Sequence, residues 1–262
     1  MDLRLNDKRA LVMGGGAGLG RAVAVSLAAE GAHIVVAGRT QAKLEDAVAE
    51  ITAAGGKASA LVWDLTELDQ IEARAAQAAS QLGGPIQILF NNGGGPAPGT
   101  AYGQAADAWQ SQFQNMVLSI IRLTDVVLPG MLEQGWGRVI TNASSGVIIP
   151  IPNLAMSNTL RSALVGWSKT LANEVAAKGV TVNMVLPGRV YTDRIAFLDN
   201  ARAGREGISV EEVEKKSKAT IPVGRYGRPD EYGDFVAFLA SERASYITGS
   251  MHRIDGGATL NI

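Results

Sequence analysis

The chain has 262 residues, of which 47% are hydrophobic, enough for one α/β domain with a full core. Its formal net charge is −1 and its basic residues do not cluster, so nothing indicates binding to nucleic acid or to an anionic membrane. It has no cysteine and only two histidines, His33 and His252. That composition excludes disulfides and thiol chemistry and predicts no metal site.

The beginning of the chain, residues 1–9, has no apolar segment of the kind found in a secretory signal. No stretch approaches the ~18 apolar residues that a membrane span needs. We therefore expect a cytoplasmic protein that acts on a small-molecule substrate, without nucleic acid or membrane partners.

Short apolar runs alternate with helical patterns along the chain. In chain order, the predicted strands are 9–13, 33–38, 58–63, 86–90, 138–141, 181–186 and 251–255. Helices are predicted at 18–30, at 41–54, from 67, from 107, at 154–178 and from 231. This alternation predicts an α/β, Rossmann-type fold with one doubly wound parallel sheet of about seven strands and helices on both faces. No linker or repeat interrupts it, so residues 1–262 are expected to form one domain.

Local residues predict several helix ends. Gly31 ends the first helix, and Thr66 and Asp107 are predicted N-caps of the third and fourth. The segment 188–230 is expected to be irregular, with one helix introduced by Ser209-x-x-Glu212.

A glycine cluster at 14–20 follows the first strand and opens the first helix. Small residues there let the backbone turn tightly and approach a pyrophosphate, which the helix N-terminus attracts. Tight turns also need glycine for conformational reasons. In the first βα turn, however, the spacing Gly-x3-Gly-x-Gly predicts a bound dinucleotide.

The end of the second strand bears on the choice between NAD and NADP. An acidic residue there would bind the ribose 2′-hydroxyl of NAD, whereas an arginine suits the 2′-phosphate of NADP. The chain has Arg39 and no carboxylate at this point. NADP is therefore favoured and NAD remains possible, since an arginine at a strand end can also simply extend into solvent.

Together these features resemble the short-chain dehydrogenase/reductase family over nearly the whole chain. The cluster at 14–20 matches the family's Thr-Gly-x3-Gly-x-Gly, 91–94 its Asn-Asn-Ala-Gly, and 187–192 its Pro-Gly-x-Val-x-Thr. The end of the chain, including 255–257, resembles β-ketoacyl-carrier-protein reductases. The resemblance implies that the dinucleotide is held by Gly14, Gly16, Gly18, Leu19, Gly20, Arg39, Asp64, Leu65, Asn91, Gly93, Arg161, Pro187, Gly188, Val190 and Thr192.

The catalytic segment of that family is incomplete here. In the family, a Ser and a Tyr hold the substrate oxygen, and a Lys four residues after the Tyr lowers the Tyr pKa and binds the nicotinamide ribose. Aligning 161–166 with the family's Lys-x-Ala-Leu-x-Gly puts Arg161 on the Lys and Ser157 on the Tyr.

Counting from the serines leaves the register open by one residue. The position of the Tyr falls on Ser157 when measured from Ser144, and on Asn158 when measured from Ser145. Neither register supplies a tyrosine.

The replacement changes the chemistry that the site can perform. A tyrosine phenol has a pKa near 10, whereas a serine hydroxyl is a far weaker acid and is shorter by about 4 Å. Each unit of pKa corresponds to about 1.4 kcal/mol of proton-transfer driving force. Arg161 can bind ribose hydroxyls but cannot pass on a proton.

Three hypotheses follow. The first is a nicotinamide-dependent oxidoreductase acting on a carbonyl or alcohol, with a proton donor other than tyrosine. The second is a non-redox lyase or isomerase with a permanently bound dinucleotide, and the third a non-catalytic cofactor-binding subunit or sensor. The intact cofactor motifs and Asn115 favour a bound dinucleotide under all three hypotheses, of which the first is preferred.

For that oxidoreductase, the resemblance implies that Asn115 holds a catalytic water. The proton could come from a water held by Asn115 and Ser157, from Ser144 or Ser145, or from Tyr191. The candidate catalytic residues are Asn115, Ser144, Ser145, Ser157 and Arg161.

By resemblance, residues 189–228 form the substrate loop or lid, and the protein is a homotetramer. The segment mixes basic residues such as Arg194 with acidic residues such as Asp199. Balanced charge of this kind is typical of a solvated surface, so no substrate class can be inferred from it.

Overall fold

The computed structural model describes residues 2–261 and contains one seven-stranded sheet. The strands are β1 (Arg9–Met13), β2 (His33–Gly38), β3 (Lys57–Val62), β4 (Ile88–Asn91), β5 (Gly137–Asn142), β6 (Val180–Pro187) and β7 (Met251–Ile254). All neighbouring strands pair in parallel, in the order β3-β2-β1-β4-β5-β6-β7. The predicted α/β fold with a doubly wound parallel sheet is therefore confirmed.

Nine α-helices accompany the described strands. They are α1 (Gly18–Ala29), α2 (Gln41–Ala53), α3 (Ile71–Leu82), α4 (Ala106–Phe113), α5 (Ser119–Gln134), α6 (Ala155–Val175), α7 (Asp193–Glu206), α8 (Val210–Ala219) and α9 (Pro229–Ala240). A π-helical turn, Gln114–Leu118, joins α4 to α5. Short 3-10 turns lie at Leu68–Gln70, Ser145–Val147, Ala176–Lys178 and Glu242–Ala244.

The core consists of two apolar clusters, one on each face of the sheet. One joins alternate strand residues such as Leu89 to helices α3, α5 and α6. The other joins the remaining strand residues, such as Phe90, to helices α1, α2 and α9. Because both faces are covered, the central strands β4, β5 and β6 are buried along nearly their whole length, as is typical of parallel sheets.

The order of the strands also determines where a site can form. The chain winds outward from β1 in one direction through β2 and β3, and in the other through β4 to β7. The loops after β1 and β4 therefore diverge and leave a crevice at the carboxyl ends of these neighbouring strands.

Two predicted N-caps are wrong. Helix α4 begins after Ala105, so Asp107 lies inside its first turn, where its carboxylate accepts from the backbone N–H of Ala108. Thr66 instead donates its hydroxyl and its backbone N–H to the Asp64 carboxylate, at 2.9 and 3.0 Å. In both cases the side chain bonds to a neighbouring residue, Asp64 or Ala108, and not to the N–H groups of the helix it was expected to cap.

The segment 188–230 contains two helices, α7 and α8, where one was expected. Helix α8 begins as predicted, with the Ser209 hydroxyl accepting from the Glu212 backbone N–H. Helix α7 was missed because its charged residues hide a weak apolar face, although its last turn carries Arg205 and Gly207 follows with a φ of 66°.

The expectation that no stretch is apolar enough to span a membrane is also wrong. The helical run Ala106–Gln134 is long and apolar enough by length and composition. In the fold, its residues Ile120, Leu123 and Met131 are buried against the sheet. The run is therefore a core helix of the parallel α/β fold.

Candidate active site

A cavity of about 570 Å³ opens at the carboxyl ends of β1 to β4. It extends from Arg39, after β2, to Asn115, in the π-helical turn. The predicted site residues among its lining are Gly14, Gly16, Arg39, Asp64, Leu65, Gly93 and Asn115. Two further predicted cofactor-binding residues lie close to each other: a Cβ placed on Gly18 would be 3.5 Å from Cγ2 of Thr192.

The glycine cluster forms one wall of the cavity through its backbone. Gly14 and Gly18 have φ values of 65° and 53°, a conformation that other residues rarely adopt. A Cβ on Gly20 would collide with the Gly14 carbonyl, so helix α1 starts directly against the turn. The wall is thus a smooth backbone surface ending at a helix N-terminus, which fits a pyrophosphate.

The far end of the cavity is basic. Arg39 lines it together with Thr40 and Lys43, and no carboxylate stands at the end of β2. Lys43 was not predicted, because it lies in the first turn of α2 rather than in the glycine cluster. Its ammonium is 3.7 Å from the Asp193 carboxylate of α7, which links the two sides of the cavity rim.

The loop after β4 contributes a different asparagine from the one predicted. Asn91 is fully buried, with its Nδ2 donating to the Thr124 hydroxyl at 3.1 Å. Asn92 lines the cavity instead, and its Oδ1 accepts from the Asn142 Nδ2 at 2.8 Å. The sequence alone could not show which of these two adjacent asparagines faces the cavity, because this depends on the alternation of side chains at the end of β4.

Asn115 lies in the π-helical turn between α4 and α5, which exposes it to the cavity. The Ser119 hydroxyl donates to the Asn115 carbonyl at 2.8 Å. Single π-helical turns inside α-helices often occur at functional sites. The structure therefore places Asn115 where it could hold a water beside a substrate.

Hydrogen bonds favour one of the two registers for the missing tyrosine. The Asn158 side chain donates to the Ile151 carbonyl at 2.9 Å and accepts from the Ile151 backbone N–H at 3.3 Å. Asn158 is thus engaged in holding the loop before α6. Ser157, the residue that the other register puts in the position of the tyrosine, is buried, with 8% of its surface exposed.

Ser144 ends the stretch after β5 and caps the following 3-10 turn. Its hydroxyl oxygen accepts from the Gly146 backbone N–H at 3.0 Å. Because that bond uses the oxygen as acceptor, the hydroxyl hydrogen remains free to donate to a ligand. Ser145, by contrast, is the first residue of the 3-10 turn itself.

Arg161 is buried one helical turn after Ser157. Its Nη1 donates to the Asn142 carbonyl at 3.0 Å, and its Nη2 to the Gly94 carbonyl at 3.4 Å. Its pKa is lowered to about 10, mainly by burial and in smaller part by the nearby Arg194, against the opposing effect of Tyr232. The guanidinium therefore stays charged at neutral pH, held behind the glycine-rich loop at 93–95.

The segment after β6 was expected to be a solvated surface, and one of its acids contradicts that. Asp199 of α7 is 1% exposed, and its Oδ1 accepts both Nη1 and Nη2 of Arg189 at 2.7 Å. The Tyr226 hydroxyl donates to Asp199 Oδ2 at 2.8 Å, and burial raises the pKa of that phenol. This group of three fastens α7 to the loop 187–192.

Comparisons with known proteins extend over nearly the whole chain. A family model described as enoyl-(acyl carrier protein) reductase matches residues 14–259. The 3-oxoacyl-(acyl-carrier-protein) reductase FabG of Escherichia coli is 34% identical over 258 residues, which cover 97% of this chain and 98% of that protein. The D-beta-hydroxybutyrate dehydrogenase of Cupriavidus necator is 34% identical over 256 residues, with the same coverage.

The solved structures agree. L-Sorbose reductase from Gluconobacter frateurii, complexed with NADPH and L-sorbose, is 30% identical and superposes with a TM-score of 0.93 over 100% of both chains. The resemblance inferred from the motifs is confirmed: the chain belongs to the short-chain dehydrogenase/reductase family.

Proposed function

We propose that this protein is an NADP-dependent oxidoreductase that interconverts a carbonyl and the corresponding alcohol, with a water-derived proton in place of a tyrosine acid. The observation that carries the proposal is the continuous cavity from the basic end at Arg39 to Asn115. Its relatives are named as reductases and dehydrogenases, which favours this function over a lyase, an isomerase or a non-catalytic subunit.

The cofactor would lie along the backbone wall of the cavity. Arg39 and Lys43 would bind the 2′-phosphate, and Asp64 and Leu65 would flank the adenine. Bound NADPH would supply a hydride at the Asn115 end. Pro187, Gly188, Val190 and Thr192 would contact the nicotinamide carboxamide, as the family motif implies.

Ser144 would hold the substrate oxygen. Its free hydroxyl hydrogen can donate to that oxygen while its own oxygen stays bonded to the Gly146 N–H. A water at Asn115 would supply the proton. Water is no stronger an acid than a serine hydroxyl, but it can be replaced from solvent after each turnover. The charged guanidinium of Arg161 would favour negative charge on the oxygen before protonation.

The test combines cofactor binding with turnover. NADPH affinity and NADPH oxidation are measured with a panel of aldehydes and ketones for the parent, Ser144→Ala and Ser157→Ala. We expect Ser144→Ala to lower kcat by about 10²-fold or more without changing NADPH affinity, and Ser157→Ala to change kcat little. The matched control is Ser162→Ala, an exposed serine of α6 that donates to the Asn158 carbonyl.

Two outcomes would contradict the proposal. Binding of NADPH without oxidation by any carbonyl compound would remove the reductase function. Loss of turnover in Ser157→Ala with full activity in Ser144→Ala would move the proton route to α6.

We also propose that residues 189–228 act as the substrate loop within one domain formed by residues 1–262. The buried Asp199 that fastens α7 supports an ordered loop. A cytoplasmic homotetramer is expected from the family resemblance. Sedimentation of the purified protein tests the assembly, and a mass of one or two chains would contradict it.

A further inference from the structure

Two guanidinium groups converge on Gly95, at the end of the cavity opposite Arg39. The Nη2 atoms of Arg194 and Arg161 lie 3.5 and 3.7 Å from where a Gly95 Cβ would stand. Arg194, in the first turn of α7, also donates to the Pro96 carbonyl at 3.0 Å. Arg161 is buried beneath the loop, whereas Arg194 and Gly95 are exposed to solvent.

Neither guanidinium has an acidic partner. Among residues 2–261, no carboxylate lies within 4.0 Å of Arg161 or Arg194, and their hydrogen bonds go to neutral carbonyls. The carboxylate adjacent in sequence, Asp193, is 90% exposed and faces Lys43. Burial lowers the pKa of both arginines; the Tyr232 phenol raises that of Arg161 in part, and no carboxylate does so for either.

Two other arginines, Arg138 and Arg189, have buried or partly buried guanidinium contacts and an acid nearby. Both Arg138 and Arg194 lie over an aromatic ring, at 4.4 Å from the centre of Trp136 and 5.5 Å from that of Phe197, but only for Arg138 does an acid, Glu242, raise the pKa against the effect of burial. Arg189 is paired with Asp199. A buried charge without a counter-ion is costly, so Arg161, with the exposed charge of Arg194 beside the same glycine, favours an anion at this point.

In the proposed function, the phosphates of the cofactor bind elsewhere in the cavity and not at Gly95. The pyrophosphate fits the N-terminus of α1, and the 2′-phosphate fits Arg39 and Lys43. The anion at Gly95 would therefore belong to the substrate. A planar carboxylate matches the fork of a guanidinium, and Arg194 is the accessible one.

We propose that the substrate is an oxo acid, with a carboxylate near the reacting carbonyl, and that Arg194 binds this carboxylate beside the charge of Arg161. The proposal rests on the function proposed above. One hydride and one proton would be added across the carbonyl, the hydride from NADPH and the proton from water. The products would be a hydroxy acid and NADP⁺, with the carboxylate unchanged.

Binding measurements test the proposal without relying on turnover. Protein loaded with NADP⁺ is titrated with pyruvate, acetoacetate and 2-oxoglutarate, each compared with its methyl ester, and with inorganic phosphate. We expect at least one acid to bind about tenfold or more tightly than its ester and than phosphate, and Arg194→Gln to abolish that preference. The matched control, Arg205→Gln, removes an exposed arginine from the same helix and should keep the preference.

Three results would overturn the proposal. They are esters binding as tightly as acids in the parent, phosphate binding as tightly as the best acid, and Arg194→Gln weakening NADP⁺ rather than the acid. NADPH oxidation is scored separately. A parent that oxidises NADPH with neutral ketones and shows no preference for acids would keep the oxidoreductase function and remove the oxo-acid substrate.

Discussion

Two regions at the carboxyl edge of the sheet differ in what determines their shape: the cavity wall after β1 and β2, and the segments after β5 and β6. The cofactor side, formed after β1 and β2, is mostly backbone, and its shape depends on glycines such as Gly14 and Gly20. The segments that follow β5 and β6, where the substrate would bind in the proposed function (the substrate side), are held by polar side chains. There Arg189 pairs with Asp199, and Arg161 binds the carbonyls of Asn142 and Gly94.

This difference explains which half of the family pattern the chain retains. A backbone wall tolerates few substitutions, because any Cβ at Gly20 meets the Gly14 carbonyl. A wall of side chains can be rebuilt while the strands beneath it stay in place. Ser157 and Arg161, in the positions of tyrosine and lysine, are buried in an otherwise regular helix α6.

The largest expected effect is on the substrate side, where Asp199→Ala would leave Arg189 and Tyr226 without their shared partner. Removing one member of a buried ion pair costs about 3 kcal/mol of unfolding free energy. Chemical denaturation should show this loss, and limited proteolysis should cut within 189–228 first. The control Glu206→Ala removes a more exposed acid of the same helix, paired with Arg202, and should leave the free energy of unfolding nearly unchanged. Equal losses in the two variants would contradict the role of Asp199.

On the cofactor side, Gly20→Ala would force α1 away from the Gly14 carbonyl. We expect a loss of about 1–3 kcal/mol in unfolding free energy together with weaker NADPH binding. Gly204→Ala is the control, since nothing lies within 4 Å of its Cβ position in α7. That variant should gain about 0.5–1 kcal/mol from helix propensity. A Gly20→Ala protein as stable as the parent would show that the turn can relax.

The smallest expected effect concerns the basic end of the cavity. Lys43→Gln should weaken NADPH binding about three- to tenfold and leave NADH binding unchanged, because only NADPH carries the 2′-phosphate. Titrations at low and high salt should show the difference shrinking as salt rises. Lys57→Gln, an exposed lysine at the start of β3 paired with Asp7, is the control. Parallel losses for NADH and NADPH would assign Lys43 to another part of the cofactor.

Local sequence patterns predicted the strands and several helix ends, because these features depend on residues that are close together in the chain. The apolar runs gave all seven strands to within about three residues, and Gly31 and Ser209 marked helix ends that the structure confirms. Asp107, by contrast, was assigned as a cap although its carboxylate bonds inside the first turn of α4. Helix α7 was missed because its many charged residues leave only a weak apolar face, in which the acid Asp199 is buried.

The amino-acid sequence by itself determined the parallel sheet, the dinucleotide-binding turn and the lack of a tyrosine in the segment 144–169, since these depend on the order and spacing of residues. Only the tertiary structure decided that Asn92 rather than Asn91 lines the cavity, that Asn158 is engaged in a loop, and that Arg161 meets Arg194. These contacts join residues from separate elements. Their free energy depends on burial and on which charges face each other, and spacing along the chain reports neither.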